Sequence, residues 1–212
     1  MTATTATIDY YYSIRSSFAY LGAARLNALA RRHDRRIVHR PILLSVILPA
    51  VGAQPFDERP PHRTAYMRRD LERWAAHLGL PVLLEPVHHV GPMELPSGTV
   101  IAAQRAVQSE GGNGSDGDVD GLSAAILGAL WRDDRDIADA AVLGELCEAH
   151  GFNAEAILTT ARTPDVALEL ERNCREAIIR GVLGSPTYFV DGDNFYGQDR
   201  LDFVERALAN RA

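Results

Sequence analysis

Ser16 stands where a strand-like run, Ile8-Asp9-Tyr10-Tyr11-Tyr12, gives way to a helical pattern that opens at Ser17. A serine in that place does one of two things. Its oxygen caps the helix by accepting a main-chain N–H, or its O–H donates to an anion drawn to the free N–H groups of the helix start. The four residues Ser16-Ser17-Phe18-Ala19 contain no cysteine, and the two cysteines of the chain, Cys147 and Cys174, lie far away in sequence. This helix start can hold a thiolate but cannot supply one. Two further points carry chemistry. Ser185-Pro186 opens a second strand-like run, Thr187-Tyr188-Phe189-Val190, and reads by itself as a rigid turn. Gln198-Asp199-Arg200 begins the last helix, where Asp199 either caps or accepts from an ammonium group and Gln198 with nearby N–H groups suits a carboxylate.

The elements that must position these residues are legible in outline. A strand Ile8–Tyr12, a helix Ser17–Arg31 and a strand Arg36–Leu43 form a βαβ unit. From Leu44 to about Arg180 the pattern is helical: a start near Pro60, an apolar stripe Tyr66, Leu71, Trp74, Ala75 and Leu78, and a stop at Gly79-Leu80-Pro81. Ser97, Asp139, Asn153 and Thr163-Pro164 are expected to start further helices. Two short strands then flank the turn Asp191-Gly192-Asp193-Asn194, and a final helix runs from Gln198 to Asn210. The glycine-rich stretch Ser109–Gly121 reads as a mobile loop. The expected fold is α/β, with residues 1–43 and 181–212 forming one discontinuous domain and residues 44–180 an all-helical insertion.

Composition removes several classes of function. A net charge of −6 argues against nucleic-acid binding, which needs a concentrated basic surface; the run Arg31-Arg32-His33-Asp34-Arg35-Arg36 reads as a solvated helix end. No apolar stretch approaches the ~18 residues of a membrane span, and Met1–Thr7 lacks the features of a secretory signal, so the cytoplasm is the expected compartment. Leu143 with Cys147, and Leu170 with Cys174 and Ile178, share helical faces, which makes both thiols buried and inert. Asp116, Asp118, Asp120 and Gly121 imitate the start of a calcium loop, but its twelfth position is Leu127 rather than Glu, and no two histidines stand at ligand spacing, so no metal is expected.

With these residues in view, the chain resembles a known family. Ser16-Ser17-Phe18-Ala19-Tyr20-Leu21 is similar to the Ser-Pro-Tyr/Phe-Ser-Tyr/Trp-Leu stretch of 2-hydroxychromene-2-carboxylate isomerases and the related kappa-class glutathione transferases. Gly181–Thr187, Val190-Asp191-Gly192 and Tyr196-Gly197-Gln198-Asp199-Arg200-Leu201 resemble the family's C-terminal motifs in the same order, and Arg40-Pro41 and Tyr66-x-x-x-Asp70-Leu71-x-x-Trp74 match between them. The resemblance implies a DsbA-like thioredoxin fold, a cis Ser185–Pro186 bond and glutathione as cofactor. It further implies Ser16 as the catalytic residue that stabilises the thiolate. Ser17, Gln54, Arg63, Ser185, Pro186, Gln198 and Asp199 are then the glutathione-binding set, Asp199 meeting the γ-glutamyl ammonium and Arg63 the glycyl carboxylate. Three departures stand out: Ser17 replaces the usual Pro, Arg15 replaces Leu and adds a charge beside the sulfur, and Ala53 replaces an Asn whose role falls to Gln54. The expected function is a glutathione-dependent isomerase acting on a small electrophilic or aromatic substrate, as a homodimer. A kappa-like transferase and a non-catalytic thiol-binding protein are the alternatives, and the missing Cys-x-x-Cys sets disulfide exchange aside.

Overall fold

The computed structural model describes residues 6–55, 58–108 and 116–209. Strands β1 (Thr7–Tyr12) and β2 (Arg36–Pro41) are parallel and joined by helix α1 (Ser17–Arg32). Strand β3 (Thr187–Val190) pairs antiparallel with the other side of β1, and β4 (Asp193–Tyr196) closes a hairpin on β3, giving the order β2-β1-β3-β4. The hairpin turns at Asp191 and Gly192, whose φ values of 52° and 96° fall in the left-handed region that Gly and Asp tolerate best. Between β2 and β3 come α2 (Leu44–Ala50), α3 (Pro61–Leu78), α4 (Glu94–Gln108), α5 (Val119–Trp131), α6 (Ala140–Ala149), α7 (Ala154–Ala161) and α8 (Pro164–Ile179), and α9 (Leu201–Ala209) follows β4.

Strand β1 lies at the centre of the sheet with both faces covered. The two-residue period of a strand sends Ile8, Tyr10 and Tyr12 into the main core with α1 and α5, while Tyr11 joins Ile42, Ile47, Cys174, Val182 and Phe189 on the opposite face. The Tyr10 and Tyr12 rings stack with centroids 4.0 Å apart. Tyr12 is also tied across the sheet by polar contacts. Its hydroxyl lies 2.6 Å from Ser123 Oγ on α5 and 3.2 Å from His39 Nδ1, and His39 Nε2 lies 2.8 Å from Asp120 Oδ1.

The caps at Ser16, Asp139 and Asn153 form as the sequence implies, each side chain accepting a first-turn N–H. Asp118 caps α5 through Gly121 N and Asp120 engages His39, so two of the carboxylates that imitate a calcium loop have other partners.

Four expectations need correction. Helix α4 starts at Glu94 rather than Ser97; the Ser97 N–H already bonds to Met93 O at 3.1 Å, and Ser97 is fully buried inside the helix. Proline at 96 does not prevent the earlier start, because first-turn N–H groups have no intrahelical partner to lose. Strand β2 stops at Pro41, since Ile42 N closes the last ladder bond to Tyr12 O and Leu43 serves as the N-cap of α2. Tyr66 leaves the expected apolar stripe: Leu71 and Ala75 are buried, whereas Tyr66 is 63% exposed. The last helix begins as a 3-10 turn over Gln198–Arg200. Of the glycine-rich stretch, residues 109–115 lie outside the described residues and Val119–Gly121 form the first turn of α5.

Candidate active site

The parallel pairing of β1 with β2 puts both strand ends on one edge of the sheet, and the chain leaves β1 there through Ser13, Ile14 and Arg15 before entering α1. Ser16 N donates to Ser13 O at 2.9 Å, which folds these residues into a turn and sets Ser16 at the N-cap. Its Oγ accepts from Ala19 N at 3.2 Å and lies 3.4 Å from the Ser185 carbonyl oxygen, toward which its proton points. Both readings of this serine are therefore compatible. The cap occupies a lone pair, and the hydroxyl proton is left with a long, weak bond from which it can turn to a better acceptor.

Ser185 comes from 169 residues away in sequence. Its hydroxyl accepts from Ser13 N at 2.9 Å, and the Ser185–Pro186 peptide is cis. Pro186 O accepts from Gly197 N at 2.9 Å, and the Tyr196 ring lies so close over Gly184 that a Cβ there would meet the phenol oxygen at 2.8 Å. Ser16, Ser17, Ser185 and Pro186 thus meet at the N-terminus of α1.

The remaining predicted residues are placed differently. Gln198 is buried: its Oε1 accepts from Arg25 Nη1 at 3.4 Å, and its Nε2 has no partner among the described residues. Its Cβ presses on Gly22, where an added Cβ would come within 2.9 Å of both it and the Tyr188 hydroxyl. What Gln198 presents at the start of α9 is therefore main chain rather than an exposed amide. Asp199 is partly exposed and lies 3.5 Å from Arg200. Gln54 is exposed after α2, and Arg63 is exposed in the first turn of α3.

Two side chains that sequence reasoning missed stand near this edge. Arg59 feels the charge of Arg63 and the phenol of Tyr196, and burial together with Arg63 lowers its pKa. Its position just ahead of Pro60-Pro61, a helix-start signal, was the available clue. His89 is the other. Its ring lies 4.8 Å from that of Trp131, and nothing in its spacing marked it.

Arg15 does not behave as expected. Its guanidinium donates to His89 O at 3.4 Å and Gly91 O at 3.3 Å, so it is directed at a loop rather than at the neighbouring serine. Desolvation lowers its pKa and the nearby Glu94 opposes that shift.

A cleft of about 330 Å³ opens at the other end of β1, lined by Asp9, Arg180 and Phe189 among others. Asp9 and Arg180 pair with each other at 2.8 Å, and the cleft shares no residue with the Ser16 edge.

A family model for the DSBA-like thioredoxin domain matches residues 7–209. The 2-hydroxychromene-2-carboxylate isomerase of Sphingobium xenophagum is 32% identical over 205 residues, covering 96% of this chain and 98% of that protein. The chain belongs to the 2-hydroxychromene-2-carboxylate isomerase family and has the DSBA-like thioredoxin fold. A Pseudomonas putida isomerase of the same name is 24% identical over 95% of this chain and 93% of its own length. The solved structure of a 2-hydroxychromene-2-carboxylate isomerase agrees in fold, with a TM-score of 0.74 at 23% identity over 96% of this chain and 95% of that one.

As an enzyme of this isomerase family, the protein combines a thioredoxin fold with a Ser16 edge free of cysteine. Cys147 and Cys174 are both buried; burial pushes the Cys147 thiol up to about 11 and raises that of Cys174 as well. Cys174 Sγ accepts from Leu43 N at 3.3 Å. Since the thiolate is the reactive form, an aromatic disulfide reagent is expected to leave both thiols untouched in the folded protein and to titrate both after denaturation. Insulin reduction should equal that of a Cys147→Ala, Cys174→Ala variant. Rapid labelling of the native protein, or turnover above that control, would restore disulfide exchange.

Proposed function

We propose that this protein is a glutathione-dependent isomerase of the 2-hydroxychromene-2-carboxylate type, with Ser16 as the group that stabilises the thiolate. The observation that carries the reading is the Ser16 hydroxyl, whose oxygen caps α1 while its proton has only a 3.4 Å partner. When bound, glutathione supplies a sulfur nucleophile that adds reversibly to a conjugated carbonyl and is released unchanged. A free thiol, with a pKa of about 8.5, is only slightly ionised at neutral pH, so the protein must favour the anion.

The donor set fits such a ligand. Ser16 Oγ–H and the first-turn N–H groups of α1 offer hydrogen bonds and positive potential to one anionic sulfur. The Ser185 main chain, which lies beside Ser16, can pair with a peptide unit. Arg59 and Arg63 at the head of α3 give positive charge for a carboxylate, and Asp199 with the N–H groups that open α9 suits an amino-acid head. We place the protein in the cytoplasm, where glutathione is kept reduced.

The test is to mix the protein with glutathione and follow the ultraviolet absorbance of the thiolate, and then to add a 2-hydroxychromene-2-carboxylate. Thiolate absorbance below the pKa of the free thiol, and interconversion that needs glutathione without consuming it, are expected. Consumption in step with product would make the protein a transferase. Absence of any thiolate signal would remove the cofactor.

A further inference from the structure

The loop Pro86–Gly91 packs beside the start of α1 and is held at two points. Arg15 donates to its His89 and Gly91 carbonyls. His88 is fixed by Asp134, whose Oδ1 accepts from the His88 N–H at 3.2 Å and whose carbonyl lies 2.7 Å from His88 Nδ1. Between these anchors His89 reaches solvent with its ring partly covered, flanked by Val87 and Val90, which are 74% and 69% exposed. Its ring leans on Trp131 at 59°. Trp131 Nε1 donates to Arg15 O at 3.3 Å. The carbonyl that orients the indole belongs to the residue immediately before Ser16.

We infer that His89 is the proton-transfer residue for the substrate oxygen, an inference that rests on the isomerase reading above. A neutral imidazole carries a proton on one ring nitrogen and leaves the other bare, and the bare nitrogen accepts a proton. The charged and titratable groups around the ring are Arg15, with Glu94 behind it, His88 paired with Asp134, and the Arg132–Asp133 pair that follows Trp131. Burial and then the Arg15 charge lower the His89 pKa, so the neutral, accepting form prevails at neutral pH.

A 2-hydroxychromene is a cyclic hemiketal, and opening it needs such a group. His89 takes the hemiketal hydroxyl proton as the ring C–O bond breaks; the electrons of that O–H bond form the new ketone C=O, and those of the broken bond pass to the aryl oxygen. The aryl oxygen then recovers the proton from His89. No electron or atom is gained or lost, and closure runs the same path in reverse. The exposed Val87 and Val90 supply apolar surface for the aromatic ring.

The experiment compares wild type with His89→Gln and His89→Ala in the full chain with glutathione. General acid–base groups contribute ~10²- to 10⁴-fold, so kcat is expected to fall by that order in both variants with KM little changed. Added imidazole should recover part of the rate in His89→Ala only. The acid limb of the kcat/KM profile in wild type should follow the His89 pKa read by proton NMR, and should be lost in both variants. The bound thiolate absorbance should stay at its wild-type level. An unchanged kcat with a raised KM would overturn the assignment and make His89 a wall of the site, as would loss of rate with no imidazole recovery and an unaltered pH profile. Absence of the thiolate signal in wild type is a separate failure, that of the isomerase reading itself, and takes this assignment with it.

Discussion

Replacing Ser16 by Ala is expected to raise the pKa of protein-bound glutathione by about 1–2 units and to cut turnover at neutral pH by about 10- to 100-fold. The size follows from one hydrogen bond to a charged acceptor, which contributes ~1.5–3 kcal/mol, at about 1.4 kcal/mol per pKa unit. The sign follows from the donor: Ser16 Oγ–H stabilises only the ionised sulfur, so its loss raises the pKa and shifts the activity profile to higher pH. The same substitution removes the acceptor of the Ala19 N–H, which costs ~1 kcal/mol of stability. Ser16→Asp separates the two roles, because Asp caps as well as Ser but sets a negative charge against the sulfur. Stability near wild type with an even higher thiol pKa is expected, read by thiolate absorbance against pH and by thermal melting. A thiol pKa unmoved in Ser16→Ala, with only the melting temperature lowered, would reduce Ser16 to a cap.

The largest stability effect is expected at Gly98. This glycine lies inside α4 where the helix meets the end of α7, and a Cβ built there would be 2.7 Å from the Ala161 carbonyl oxygen and 3.2 Å from Val166 Cγ1. A main-chain oxygen cannot rotate away as a side chain can, so α4 and α7 must separate, which loosens the small cluster of Ile101, Val166 and Leu170. Overpacking of this kind costs ~1–3 kcal/mol, and in a chain of this length each kcal/mol lowers the melting temperature by about 2–4 °C. Gly98→Val is therefore expected to lower it by roughly 3–10 °C. Gly144→Ala is the contrast: its nearest neighbours would be Ala154 Cβ and Leu158 Cδ1 at 3.7 Å, an ordinary contact, and the better helix propensity of Ala should add ~0.5–1 kcal/mol. A Gly98→Val protein that melts with wild type would show that the two helices are not in close approach.

The amino-acid sequence by itself determined what depends on neighbours along the chain. Alternation in Ile8–Tyr12 set which tyrosines face which core, Gly79 ended α3 at a left-handed φ of 66°, and Ser16, Asp139 and Asn153 announced their helices because a cap is satisfied within three residues. The sequence Ser16-Ser17-Phe18-Ala19 left that helix start without a thiol in the same local way. Tertiary structure decided the rest, wherever a side chain chooses among partners far off in sequence. The order β2-β1-β3-β4 brought Ser185 to Ser16. Burial under Gly22 turned the Gln198 amide inward, and the carbonyls of His89 and Gly91 hold Arg15 against a loop more than seventy residues on. His89 is the extreme case. Its place against Trp131 depends on an indole held by the Arg15 carbonyl and on two loop anchors that come from separate elements, and no periodicity encodes a meeting of that kind, because the contacts that create it exist only once the helices have packed.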